Sequence, residues 1–322
     1  MQTKSLFSLG KLVAPLSLVA TVALCLSAPA QAISLGDASN YNVFILGNLN
    51  QSNTDIEGKL AVNGDVNLSN FSIGTKLPDN SGNVLITGGD LNLTNVQVNH
   101  GDAVYHGTAS LINSTIRGGQ IKQDNPIDFN AAGTYLGNLS SSLSKTVANG
   151  TTSIYSWGEI NLAGKDSKLN VFNLNGTDLA KATSFKLDAP QDSTVVVNIS
   201  GSDISMGGFD FFFKNIDKQH ILYNFYEATN LTSNGLGIKG SVLAPNANFT
   251  FHNGHIDGNL IANSLTGQGE SHDYLFEGAL PDFTPISNED PISKVPEPAT
   301  LAGLGLVAAT GVVSRRKGNH KA

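Results

Sequence analysis

A mainly β chain, wound as a parallel β-helix or solenoid with one amphipathic helix packed on it, is the fold this sequence predicts. Three observations predict it. The long body is rich in Asn, Gly, Ser and Thr, and turn residues separate short aliphatic runs every few positions, a β pattern. Those runs recur. GKLAVNG (58–64) and GNVLITG (82–88) share a glycine and an aliphatic stretch, and GSVLAPN (240–246) and GNLIANS (258–264) repeat the pattern near the other end. The third observation is a single change of period, to helical spacing, in residues 128–147.

The repeat carries most of the weight. NGDVNLSN (63–70) and GGDLNLTN (88–95) agree in Gly, Asp, Asn, Leu and the last Asn at a spacing of 25, and SLINSTIRGG (110–119) is a looser third copy. Such spacings suit one coil of a stack in which each rung buries its neighbour's apolar face. Alternate strand residues then point inward: Leu60 and Val62 in one rung, Val84 and Ile86 in the next. Asn at the turns tolerates the left-handed conformation and can stack in ladders. An antiparallel sandwich is the rival, since two strands and two turns fill the same period; recurrence of one residue class at equivalent positions favours the solenoid.

The chain opens with an export pattern. Lys4 and Lys11 precede an apolar run at 12–26, and Ala30-Gln31-Ala32 supplies a cleavage site, so residues 1–32 read as a signal peptide, cut after Ala32 and delivered to the Sec machinery. The single cysteine, Cys25, follows Leu24 rather than a small residue and leaves with that peptide; the mature chain has no disulfide. Residues 33–295 hold 13 basic and 25 acidic residues, a net charge of −12. Nucleic-acid binding needs a basic face, so that class is excluded.

Within the body (33–280), apolar residues at 132, 135, 136, 139, 143 and 147 mark the helix. Asp128 is its N-cap and Asn149-Gly150 its stop. It is expected to cover an end of the stack that would otherwise present open strand edges. Strands are expected at 153–157, 169–174, 194–199 and 208–213, with the Phe209–Phe213 aromatics in the core and Asp210 on the solvent side. Residues 281–295 are a proline-rich acidic linker.

The tail, 296–322, orders Pro296-Glu297-Pro298, an apolar run at 299–313, then Arg315, Arg316 and Lys317. Fifteen residues make about 22 Å of helix, short of a hydrocarbon core of about 30 Å. The basic cluster leaves the C-terminus cytoplasmic and the body outside. The tail resembles the PEP-CTERM sorting signal. That resemblance implies recognition of Pro296, Glu297 and Pro298 by an exosortase, membrane contact through 299–313 before processing, and a basic stop at Arg315, Arg316 and Lys317. It implies export to the surface or matrix of a Gram-negative bacterium. The body, at GDASNYNVFILGNLNQSNTDIEGKLAVNGD (36–65) and GSVLAPNANFTFHNGHIDGNLIANSLTGQGESHDYLFEG (240–278), resembles the choice-of-anchor A family, whose members look like adhesins or matrix proteins and bring no catalytic residues.

Candidate chemistry is sparse. His252 and His255 could bring two imidazoles together, with His272-Asp273 following, but zinc needs three or four converging ligands and the glycine between the histidines suggests a turn. No metal or other cofactor is expected. Asp55 and Glu57 share a strand face without an opposing partner, which suits a charged surface better than acid–base catalysis. The Asn-x-Ser/Thr sequons at Asn67, Asn92 and Asn113 read as Asn-rich turns. No nucleophile elbow, zincin, P-loop or dinucleotide motif is present. The expected function is therefore a non-enzymatic surface or matrix adhesin that binds exopolysaccharide or a cell-surface ligand. The alternative is a secreted carbohydrate-active enzyme on a β-helix. Ice binding is disfavoured by the lack of regular Thr-x-Thr arrays.

Overall fold

The computed structural model describes residues 34–282. The signal peptide with Ala30 and Ala32, the linker beyond 282, and the tail with its Pro-Glu-Pro and basic residues lie outside them.

Each coil of the solenoid contributes short strands to three sides. One side is a single parallel ladder. It runs from Leu169–Asn175 through Thr194–Ser200, Ile221–Asn224, the start of Ser241–Asp257 and Leu260–Gly267. It continues through Val43–Ile45, Leu60–Val62, Asn83–Thr87 and Asp102–Tyr105 to Ile121–Gln123. The chain does not climb the stack in order: the first coil lies against the last, with Val43 paired on one side to Leu260 and on the other to Leu60. The four glycine-led repeats are therefore near neighbours in one pile.

Except at its exposed edge strand, Ile121–Gln123, this ladder is buried on both faces, so its strands are continuous apolar runs rather than alternating ones. Leu60, Val62 and Leu85 enter the inner core, while Phe44, Ala61, Ile86, Val104 and Ile261 pack outward under the helix. Leu60 pairs with Leu85 and Ala61 with Ile86, and an irregularity follows Asn83 in the next pairing. Ile86 is thus not the inward partner of Val62. The extra residue is Val84, passed over in that pairing, and it keeps its expected inward place in the core; beyond it the one-residue slip turns Leu85 inward and Ile86 outward.

The helix Phe129–Ser144 begins at Asp128, whose carboxylate accepts the Ala131 N–H at 3.0 Å. Phe129, Ala132, Leu136, Leu139 and Leu143 form its buried stripe, and Val147 is exposed. It lies along the flank of the ladder rather than over an end. Sixteen residues make about 24 Å, enough to cross about five rungs at about 4.8 Å each. Buried amides fix it there: Asn198 donates to the Leu143 carbonyl at 2.8 Å, and Asn224 donates to the Ser140 carbonyl and to Asn198 Oδ1. The Leu143 carbonyl also accepts the Thr146 N–H at 3.1 Å, so Asn198 adds a second bond at the last turn.

A second sheet holds Thr151–Ile154, Glu159–Ala163, Ser184–Asp188 and Phe211–Lys214; its first pair is antiparallel and the others parallel. The expected aromatic run divides across it: Phe209 and Phe211 are buried, and Phe212 is exposed beside Asp210. Among the described residues no helix is long and apolar enough to cross a membrane.

Candidate functional site

The long strands bend at a shared corner, and that corner separates two outward sides of different chemistry. Asn53, Asn70, Asn95, Asn113 and Asn253 all have φ between 51° and 58°, the left-handed region where asparagine is tolerated best among residues with a side chain. In successive coils Asn70 donates to Asn53 and Asn95 to Asn70, each at 3.0 Å. This amide ladder is the corner.

Before the corner lies a polar face. In register across adjacent rungs stand Ser205, Thr232, Thr250, Thr266, Asn50, Asn67, Asn92 and Ser110. All are outward and partly or fully exposed. Asn92 donates to Asn67 Oδ1 at 3.0 Å, which holds that part of the row at the rung spacing. A parallel row includes Ser52, Ser69 and Thr94. Sequence reasoning missed this face while naming part of it. The sequons at Asn67 and Asn92 lie within strands: Asn67 and Ser69 point out while Leu68 is buried. Only Asn113 sits at the corner. Asn230-x-Thr232 and Asn248-x-Thr250 carry the same out-in-out signal.

After the corner lies a charged face. The corner residue Asn253 separates His252 from His255, so that pair does not converge. His255 instead meets Asp257 on its own strand and His272 on the next rung, where Asp257 and His272 are register partners. His272 Nδ1 is 2.6 Å from Asp257 Oδ1, and its Nε2 is 3.2 Å from Glu270 Oε1. His255 Nε2 is 3.8 Å from the same Asp257 oxygen, and the two imidazoles stack at 4.7 Å. Lys218 Nζ takes the other Asp257 oxygen at 2.7 Å. Burial raises the Asp257 pKa, but its bonds to Lys218 and His272 outweigh that and leave it below the usual value. Burial lowers His272; its bond to Asp257 and the charges of Glu270, Asp257 and Glu57 reverse the balance and raise it.

Asp55 and Glu57 share this face, as their spacing required, but an opposing partner exists: Glu270, from the adjoining rung. Burial, then the charge and hydrogen bond of Glu270, push the Asp55 pKa up. Asp55 and Glu270 are neighbours across a rung, beside the register pair Ile56 and Ser271, so they face each other directly and leave no room for a sugar between them, as glycoside hydrolysis requires. Asp273 joins neither row; its carboxylate lies against Gly58. A separate exposed aromatic pair, Tyr155 stacked on Trp157 at 4.7 Å, caps the hairpin of the small sheet.

Solved structures resembling this chain include an ice-binding protein from an Antarctic biological consortium, at 15% identity over 80% of this chain and 93% of that one, with a TM-score of 0.40. Another is an ice-binding protein from the Antarctic ascomycete Antarctomyces psychrotrophicus, at 14% identity over 78% and 100%, with a TM-score of 0.37. A search of the curated proteins returns no match. The PEP-CTERM protein-sorting motif matches residues 294–317, which implies exosortase processing and, with the adhesive domain, points to an exported surface protein of a Gram-negative bacterium. The profile of the ice-binding-like adhesive domain matches residues 34–273, the greater part of the chain, and the protein belongs to that family.

Proposed function

We propose that this protein is a non-enzymatic adhesin of the cell surface or extracellular matrix, which grips extended polysaccharide along its polar face and contributes to a biofilm matrix. Residues 1–32 direct Sec export, 33–280 form the binding domain, 281–295 space it from the membrane, and 296–322 are the sorting tail. Within that tail Pro296, Glu297 and Pro298 are the exosortase motif, and Arg315, Arg316 and Lys317 the basic stop. The observation that carries this reading is the column from Ser205 to Ser110, with only hydroxyls and amides in register at every rung. Such a row matches the repeating hydroxyls of a sugar chain and supplies many weak positions instead of one pocket. Single contacts of this kind contribute about 0.5–1.5 kcal/mol net, so adhesion relies on many sites or many tethered copies.

A glycan array probed with the purified protein, free and bead-displayed, tests the reading; bead-displayed binding to host exopolysaccharide is the expected result. Thr232, Thr250 and Thr266 stand in consecutive rungs, and this run, with the family's ice-binding-like character, favours ice as a second reading. Thermal hysteresis at working concentrations, without glycan binding, would select it. Sustained release of reducing ends or unsaturated products from exopolysaccharide would replace both with the carbohydrate-active enzyme.

A further inference from the structure

On the charged face, we propose that His255, Asp257 and His272 form a site for a first-row divalent transition-metal ion of the zinc or copper class. Three ligand atoms, one from each residue, lie within 4.8 Å of one another, and they are contributed by two adjacent rungs of a rigid stack. Asp257 Oδ1 is the common point. It is 3.8 Å from His255 Nε2, too far for a hydrogen bond but close to the separation of two ligands each about 2.0–2.2 Å from one ion. On its other side the 2.6 Å hydrogen bond between Asp257 and His272 Nδ1 gives up its proton and opens to about 3.4 Å, the edge of a tetrahedral site with ligands about 2.1 Å from the ion.

The surroundings are those of a held ligand set. Glu270 sits 3.2 Å from His272 Nε2, so that nitrogen donates its proton to a carboxylate and Nδ1 is left to bind, the arrangement that orients metal-binding imidazoles. Lys218 fixes the second oxygen of Asp257, which aims Oδ1 at the histidines. The two rings lie face to face at 4.7 Å, 20° from parallel, so a modest tilt turns both in-plane nitrogens toward one ion. Asp55, Glu57, Asp257 and Glu270 together outweigh Lys218 and Lys76, the latter 3.8 Å from Glu57, so the face carries negative charge for a dication to compensate. Two imidazoles with one carboxylate select zinc, copper or nickel over calcium and magnesium, which want oxygen ligands. His255 and His272 remain 38% and 23% exposed, which leaves a coordination position open to solvent.

The position gives the ion a structural effect as well. His255 and Asp257 come from the end of Ser241–Asp257, and Glu270 and His272 from the last described strand, which pairs with the first coil at Ile56 and Ser271. A bound ion therefore ties together the coils beside the join between the two chain ends, and it should stabilise the folded state by mass action.

Isothermal titration of the chelator-treated full chain with ZnCl2, and separately with CaCl2, tests the site. One Zn2+ per chain at micromolar affinity or tighter is expected, with much weaker Ca2+ binding and a Zn2+-dependent rise in melting temperature. His255→Ala and His272→Ala should each weaken Zn2+ binding by about 10-fold or more, and Glu270→Gln by about 10-fold through lost orientation. His252→Ala, beyond the corner, should change nothing. If His272→Ala fails to fold, His255→Gln carries the same test from an exposed position. No saturable Zn2+ binding, equal affinity for Ca2+, or binding that survives in the folded His255→Ala and Glu270→Gln variants overturns the proposal.

Discussion

Phe44 and Ile261 are register partners in one parallel ladder, although one belongs to the first coil of the chain and the other to the last. The stack is therefore closed through its middle: the first coil is sandwiched, and the edges of this ladder belong to Leu169–Asn175 and Ile121–Gln123. A pairing so distant in sequence carries a loop-closure cost in folding, and buried amides secure it. Asn42 donates to the carbonyls of Gly258 and His272, both at 2.9 Å, and accepts from the Gly58 N–H at 3.2 Å.

Asn42→Ala should accordingly cost about 3 kcal/mol, since it leaves buried backbone groups unpaired. For a body of this size that is a fall of about 6–12 °C in melting temperature. Thermal denaturation followed by circular dichroism checks it, and an unchanged melting curve would show that the join does not depend on Asn42.

The register separates two neighbouring residues. Leu60→Asp and Leu85→Asp each place a charge in the inner column without a partner and should prevent folding. Ile86→Ala instead loosens the helix over the ladder and should cost about 2–4 kcal/mol. Amide exchange would detect faster opening in Phe129–Ser144 than in the strands; equal acceleration throughout would mean that Ile86 belongs to the inner core.

Acid should weaken the stack. Asp90 is held below the usual carboxylate range by the Thr108 backbone N–H and then by its hydroxyl, and Asp102 by Lys122 and then the Gln120 N–H. A depressed folded-state pKa contributes stability that is present above the unfolded value of about 3.9 and is lost as pH falls through the lower folded values. Urea midpoints should rise slightly from neutrality to mild acid, where the raised His272 pKa adds stability, and then fall below about pH 4. Asp90→Asn should reduce that fall, and an identical pH profile for the variant would remove Asp90 from the account.

Bulk on the polar face should abolish binding without unfolding. Thr250→Tyr with Asn67→Tyr crowds the exposed column, and bead-displayed protein should lose polysaccharide binding by about 10-fold or more, the loss of a few contacts, while melting like the wild type. Binding that survives both changes would move the ligand to another side.

Delivery should depend on the tail. Replacing Pro296, Glu297 and Pro298 by alanines should leave an unprocessed form held at the membrane. Mass spectrometry of the mature wild-type protein should find Ile33 at its start and neither Arg315 nor Arg316. A mature protein that keeps its basic tail would leave a plain anchor in place of a sorting signal.

Several features were legible in the residues alone because they are local. The 25-residue recurrence of GD-x-N-L-x-N fixed both the coil and its asparagine corner, since a left-handed bend needs a particular residue wherever it occurs. Asp128 and the spacing from Ala132 to Leu143 located the helix for the same reason. The order Pro-Glu-Pro, apolar run and basic cluster marked the tail. Tertiary structure alone decided how these pieces meet. No local rule says that Val43 pairs with Leu260 as well as with Leu60, or that the helix lies along a flank instead of an end. Val84 keeps its inward place while, past the irregularity, Leu85 turns inward and Ile86 outward, a choice made by packing. Asp257 and His272, in register across a rung, are brought together by stacking, and so is the chemistry of the charged face. Sequence specifies what each coil displays; the stacking of coils far apart in the chain specifies which of those displays become neighbours.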